Sequence, residues 1–309
     1  MKKILITGGS GLLGGNLAMM AREKFEVYAT YYRHPIKIKK CITLSLDIRN
    51  QRETFLAITK IRPELIIHTA ALTDVDYCEE HPEEAWSLNV GGTMNLAMAA
   101  ENIGAKFIYI STDSVFDGKK GMYTEEDYPS PLNHYAKTKL EGENILGVFD
   151  LNYSIVRTCI YGWNMQKKFS LAEWVINGLH NKKKLAMFTD VFFSPILVNN
   201  LSEAIFEIYE RDISGVLNIA GSERCSKFHF GKKIAEVFFL DGSYIEPISI
   251  DDYKGFKAPR PKDVSLDVSK AKRKLRTKLL NVEEGLVWMR ELLQKGFVKE
   301  LRECMEESA

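Results

Sequence analysis

Little in this chain marks a metalloprotein, a disulfide scaffold, a membrane protein or a nucleic-acid binder. Cysteine is sparse: Cys41, Cys78, Cys159, Cys225 and Cys304 are odd in number, scattered and never spaced C-x-x-C. Reduced thiols in a cytoplasm are therefore expected, rather than bridges or zinc ligands. The six histidines show no ligand spacing, so no metal is expected. No apolar run approaches the ~20 residues that a bilayer-spanning helix needs. Neither sign of charge dominates, with 42 Lys+Arg against 41 Asp+Glu and a formal net charge of +1. Such a balance argues against binding nucleic acid or a membrane surface by bulk charge. The lysine run 182–184 reads as a solvated turn. The start, Met1-Lys2-Lys3, resembles a signal peptide only faintly, because glycines replace the apolar segment after four residues.

What is present is a globular composition, 45% apolar and 27% charged over 309 residues, enough for one large or two ordinary domains. Apolar, β-branched runs at 4–8, 26–31, 42–47, 65–69, 107–111 and 154–157 alternate with amphipathic stretches at 12–23, 52–61, 83–103 and 134–146. That alternation predicts right-handed βαβ units and a doubly wound parallel sheet with helices on both faces, an α/β fold of Rossmann type. Beyond Gly162 the pattern loosens. Helices are expected at 171–179, 201–209, 228–239 and 282–293, with a short strand at 216–220. Residues 1–160 are read as a dinucleotide-binding domain. Residues 161–309 are read as a smaller α/β part, mainly substrate-binding and interleaved with that core.

The opening stretch MKKILITGGSGLLGGNL places five glycines in eight residues directly after a strand. Gly8, Gly11 and Gly14 form G-x-x-G-x-x-G, with Leu12 and Leu13 opening a helix. In this pattern Gly8 permits a tight turn, Gly11 lets a pyrophosphate approach the backbone, and Gly14 lets helix and strand pack closely. The helix N-terminus then offers free N–H groups to phosphate. The end of the second strand reads Tyr31-Tyr32-Arg33-His34, without the carboxylate that would bond a ribose hydroxyl. Arg33 is thus either a partner for a 2′-phosphate, favouring NADPH with NADH also accepted, or a solvent-facing loop residue. Asp47, with Ile48 beside it, either contacts the adenine or caps the next helix. Both readings stay open.

A second cluster is STDSVFDG at 111–118 with NHYAKTKLEGE at 133–143. Tyr135 and Lys139 are four apart on an expected helix and so share a face. A phenol transfers protons poorly near neutrality unless a neighbouring cation lowers its pKa, and Lys139 supplies that ammonium. The Thr112 hydroxyl is placed to hold the reacting oxygen.

These motifs, with HTAALTDVDYCE at 68–79, LNVGGT at 88–93, SPLNHYAKTKLEGE at 130–143 and APRPKDVSLD at 258–267, resemble the extended short-chain dehydrogenase/reductases over essentially the whole chain. Within them the sequence most resembles the dTDP-4-dehydrorhamnose reductases. The resemblance implies Thr112, Tyr135 and Lys139 as the catalytic set, the latter two also holding the cofactor. It implies Ala70 and Ala71 along the cofactor ribose and Asn89, a buried asparagine of the helix after strand four, as a further cofactor-binding residue. Thr73, Val75, Asp113 and Val115 would lie beside the sugar. Arg260, a forked cation in a proline-stiffened loop, suits the substrate's diphosphate.

The implied substrate is a nucleotide-diphosphate 6-deoxyhexose whose 4-keto group is reduced by NADPH, as in dTDP-rhamnose biosynthesis. A homodimer is compatible with the sequence but not required by it. The chain departs from the bacterial reductases after Arg157-Thr158, where their tryptophan is replaced by the run 159–163 ending in Trp163. Ser114 also stands where a tyrosine is common. Two rivals remain open. A same-fold epimerase or dehydratase would keep its NAD(H) and return the hydride. A non-catalytic dinucleotide-binding subunit would resemble the regulatory β subunit of methionine adenosyltransferase.

Overall fold

The computed structural model describes residues 1–305. Six strands come from the first half: β1 (Lys3–Thr7), β2 (Glu26–Tyr31), β3 (Cys41–Ser45), β4 (Leu65–His68), β5 (Lys106–Ile110) and β6 (Tyr153–Arg157). A seventh, Gly215–Asn218, comes from the second half and pairs with β6. The sheet order is Gly215–Asn218, β6, β5, β4, β1, β2, β3, with every pair parallel. The winding reverses between β1 and β4. In open sheets of this kind a crevice forms beyond the strand ends at that point.

Alternation along the strands explains the two layers of helices. Leu5, Ile66 and Phe107 align in one row, and Ile6, Ile67 and Ile108 in the next. The first row packs with α2 (Gln51–Ile61), α5 (Gly92–Ile103) and α6 (His134–Leu146) through residues such as Ile58, Leu96 and Leu146. The second packs with α1 (Leu12–Ala21) and α8 (Val198–Glu210) through Leu17, Leu201 and Ile205. The layers agree with the expected doubly wound fold.

In the first half, two elements differ from expectation. The stretch 83–103 is not one helix: α4 (Pro82–Trp86) leads into a π-helical turn, Ser87–Gly91, before α5 begins. The extra residue in such a turn re-aims side chains, often at functional sites, and here Asn89 becomes buried. A short α3 (Val75–Glu80) also forms, capped by the Asp74 side chain, which accepts the Tyr77 N–H at 3.0 Å. Its single turn and a half carries too little periodicity to be read from sequence.

In the second half, α7 (Leu171–His180), α9 (Lys227–Val237), α10 (Ser269–Lys274), α11 (Val282–Gln294) and α12 (Phe297–Glu303) enclose three short strand pairs. Its chain returns across the cleft at 257–260, where Asp76 of α3 accepts the N–H groups of Lys257 and Ala258 at 3.1 and 2.9 Å. No helix among the described residues is long and apolar enough to cross a membrane.

Leu17 is fully buried where α1 meets the sheet and α8. Leu17→Ala should lower stability by about 2–5 kcal/mol through lost burial and a residual cavity. Urea denaturation is the check; an unchanged midpoint would mean the layer repacks.

Candidate active site

At the crevice, the turn after β1 is shaped by backbone. Gly8 has φ +69°, and a Cβ there would lie 2.8 Å from the Ala70 backbone. A Cβ on Gly14 would lie 2.2 Å from the Gly8 carbonyl oxygen. Gly11 is different: only that same oxygen, at 3.2 Å, lies near where its Cβ would stand. The protein does not fill the space in front of Gly11, and a ligand can. No side chain caps α1, and the Gly15 N–H to Gly11 carbonyl bond is 3.0 Å long. The N–H groups of the first turn, at Leu12 and Leu13, are therefore available to an anion. The Leu13 side chain lies in the core, leaving it only its backbone to offer. Gln166, which sequence reasoning missed, donates to the Ser10 carbonyl at 2.8 Å and brings the second half over this turn.

From the turn a cleft of about 280 Å³ runs past the ends of β2, β3 and β4, lined among others by Tyr32, Arg33, Asp47, Ile48, Ala70 and Ala71. Arg33 is exposed and lies 3.5 Å from Glu84. Asp47 does not cap α2. Asn50 does, accepting the Glu53 N–H at 3.1 Å. The Asp47 carboxylate instead takes the Arg49 fork at 2.8 and 2.6 Å, and that bond holds its pKa below the ordinary value. Arg49 also stands over the Tyr32 ring at 5.1 Å. It follows Asp47-Ile48 directly, so its position was the available signal, yet it was overlooked.

The loop carrying Ala70 and Ala71 is held from behind. Asn89 accepts the Leu72 N–H at 2.8 Å and donates to the Leu72 carbonyl and to Thr138 at 3.1 and 2.9 Å. It is only 1% exposed, so it acts as a tie between loop and α6 rather than as a wall of the cleft. His68 bonds Thr7 at 2.8 Å and Thr93 at 3.1 Å. Burial drives its pKa well down, and it is neutral.

Thr112 follows β5, and Tyr135 and Lys139 stand one turn apart on α6, whose N-cap Asn133 accepts the Ala136 N–H at 2.9 Å. The Thr112 side chain lies close enough to the Tyr135 phenol to influence its titration, while the Thr112 hydroxyl itself donates to Asp113 at 3.1 Å. Burial raises the phenol pKa above its ordinary value, and the neighbouring Thr112 partly opposes that rise. The phenol is thus protonated at neutrality. Lys139 stands one turn along α6 from the phenol. Its Nζ sits 4.1 Å from the centre of the Tyr109 ring, and burial pulls it down to about 7, with Glu143 opposing.

The remaining expected residues divide. Thr73 is exposed before α3, and Val75 is half-buried at its start. Asp113 is buried beside Thr112, whose hydroxyl donates to it at 3.1 Å, and burial raises its pKa. Val115 is not brought to the cleft: its side chain is fully buried in the apolar core. Arg260 pairs with Asp76 at 2.9 Å and opens onto a second cavity of about 580 Å³ with Phe192, Arg224 and Lys262. Arg224 lies over the Phe192 ring at 3.7 Å. No motif spacing announced that pair. Trp163 packs away from the site, donating to the Met289 carbonyl at 2.7 Å.

A glycine turn before an uncapped helix N-terminus, with a Thr–Tyr–Lys set on a doubly wound sheet, fits an extended short-chain dehydrogenase/reductase. More narrowly, the chain belongs to the family described as RmlD substrate binding domain, whose model matches residues 1–294. A probable low-salt glycan biosynthesis reductase of Haloferax volcanii is 30% identical, over 91% of this chain and 95% of its own. Methionine adenosyltransferase 2 subunit beta of Rattus norvegicus is 32% identical, over 87% and 81%. Among solved structures, a hypothetical dTDP-4-dehydrorhamnose reductase of Sulfolobus tokodaii is 36% identical with TM-score 0.81, covering 91% of this chain and 97% of that one. The Bacillus anthracis dTDP-4-dehydrorhamnose reductase in complex with NADP is 29% identical with TM-score 0.84, covering 94% and 99%.

Gly11→Val should leave the fold intact, since only one oxygen constrains the site, while filling the space before the helix N-terminus. Calorimetric titration with NADPH should show no binding. Normal binding by the valine protein would remove the turn from the phosphate site.

Proposed function

We propose that this protein reduces the 4-keto group of a nucleotide-diphosphate 6-deoxyhexose with NADPH, as in dTDP-rhamnose formation. The carrying observation is the half-buried Tyr135 beside Thr112 at the crevice, its phenol pKa raised by burial so that it is protonated at neutrality. Bound there, the dinucleotide supplies the hydride. The open space at Gly11 and the uncapped N–H groups of α1 fit its pyrophosphate. Arg33, with Arg49 near, fits a 2′-phosphate. Asp47 and Ile48 would meet the adenine, and Ala70 and Ala71 the ribose. Thr112 bonds the carbonyl oxygen and Tyr135 gives its proton to the developing alkoxide. Lys139 holds positive charge behind the phenol. Thr73, Val75 and Asp113 would flank the sugar, and Arg260 its diphosphate once it exchanges Asp76 for phosphate oxygens.

The reading treats 1–160 as the dinucleotide part and 161–309 as mainly the substrate part, in a cytoplasmic enzyme. The similarity to a methionine adenosyltransferase subunit favours one second reading, a dinucleotide-holding subunit without turnover.

Tyr135→Phe separates them. Removing the proton donor should cut turnover about 10²–10⁴-fold while leaving NADPH binding intact. One NADPH consumed per dTDP-4-keto-6-deoxyhexose reduced is the expected stoichiometry. Conversion without net NADPH loss would indicate an epimerase, and no oxidation with any 4-keto sugar nucleotide the subunit. Arg33→Ala should weaken NADPH more than NADH; a strong NADH preference in the unmutated protein would rule out the phosphate role.

A further inference from the structure

Lys139 is only 3% exposed, and among the described residues no carboxylate lies within salt-bridge distance of its ammonium. An isolated buried ammonium is strongly disfavoured, so something must keep this one charged and in place. Two groups face it for which the reaction above has no other use. The Tyr109 ring lies beneath the ammonium, at 4.1 Å to its centre, a cation–π arrangement. Glu143 stands one helical turn further along α6, on the same face.

Both are held rigidly. Glu143 takes the Arg157 fork at 3.0 and 2.6 Å and the Ser111 hydroxyl at 2.5 Å, all buried. The Tyr109 hydroxyl donates to the Lys139 carbonyl at 3.2 Å. Gly142 leaves room for it: a Cβ there would stand 2.2 Å from that hydroxyl. We infer that Tyr109 and Glu143 are positioning residues that keep Lys139 charged and directed at the reaction site, with Arg157 and Ser111 fixing Glu143. The other groups around Lys139 do not take this role. His68 on β4 is neutral, Tyr135 on α6 is protonated, and Asn89 from the π turn is uncharged. Arg157 on β6 is a cation whose fork is bound to Glu143.

The inference rests on the proposed reductase chemistry for its purpose, but its first test needs no catalysis. Lys139 titrates at about 7 when folded and near 10.4 when unfolded. Between those values the folded state binds fewer protons, so stability rises with pH; the penalty is full below 7 and gone above the unfolded value. Comparing unmutated protein with Lys139→Met by urea denaturation from pH 5.5 to 10.5 isolates that rise.

In the Glu143→Gln background the same comparison should place the rise lower, by on the order of one pH unit. Because Glu143→Gln leaves Arg157 unpaired and risks misfolding, Glu143→Gln/Arg157→Met provides a charge-balanced version with the same expected shift. Tyr109→Leu should also lower the midpoint, whereas Tyr109→Phe, which keeps the ring, should not. In NADPH oxidation, the alkaline limb of the turnover profile should move with the stability midpoint. A midpoint unmoved in both Glu143 variants and in Tyr109→Leu overturns the inference. A midpoint that moves in protein that never oxidises NADPH supports it and refutes the proposed reaction instead.

Discussion

Everything at the site depends on a backbone contact with no room for a side chain. The Gly8 carbonyl stands where a Gly14 Cβ would be, and the Ala70 backbone stands where a Gly8 Cβ would be. The ends of β1, α1 and β4 therefore converge on one point. The Thr69 hydroxyl donates to the Thr7 carbonyl at 2.6 Å, and the Thr69 and Ala70 N–H groups reach the Thr7 hydroxyl at 3.2 and 3.3 Å. A side chain at Gly8 or Gly14 would push the segments apart, and the unguarded N–H groups of α1 would no longer face the crevice. The same convergence sets the height of the Ala70-Ala71 loop, which Asn89 then ties to α6 and so to Tyr135. A small steric constraint in the first turn thus reaches the catalytic candidates through four hydrogen-bonded elements.

Three arginines at the cavities are held in ion pairs. Arg49 is held by Asp47, Arg260 by Asp76 and Arg224 by Asp263 at 2.7 Å. Each cation lines one of the two cavities, and each is kept in place by a carboxylate that an incoming phosphate resembles in charge and acceptor geometry. Such pairing limits the entropy lost when a ligand engages, because the fork is already oriented. A dinucleotide and a nucleotide diphosphate, the proposed ligands, both carry the dense negative charge that such forks suit.

What the sequence revealed and what it hid follow from how local each determinant is. The glycine spacing, the strand–helix alternation and the Tyr135–Lys139 spacing are local, and the fold places them as their periods imply. The π turn at Ser87–Gly91 was invisible because its neighbours carry ordinary helical periodicity; Gly92, pressed against Ile48, is a tertiary demand. Asp47 was open between two readings because its partner, Arg49, shares a loop with no regular geometry. Val115 lies in a run whose other members reach the site, but the short helical turn Asp113–Val115 rotates its side chain into the core. The pairing of Arg224 with Phe192 joins residues 32 apart in a region without clear pattern, and only the folded chain brings them together.

The electrostatics of α6 also bear on the direction of the chemistry. An epimerase or dehydratase begins by oxidising the sugar, which requires Tyr135 to accept a proton as phenolate. A reductase needs the phenol to arrive protonated. Burial in this chain raises the phenol pKa, which opposes the phenolate. A phenolate beside Asp113 would also meet a second anion. Near neutral pH the donor form is the ground state, whereas the acceptor form has to be created against desolvation and repulsion. A phenol that arrives protonated is the form that the proposed carbonyl reduction uses.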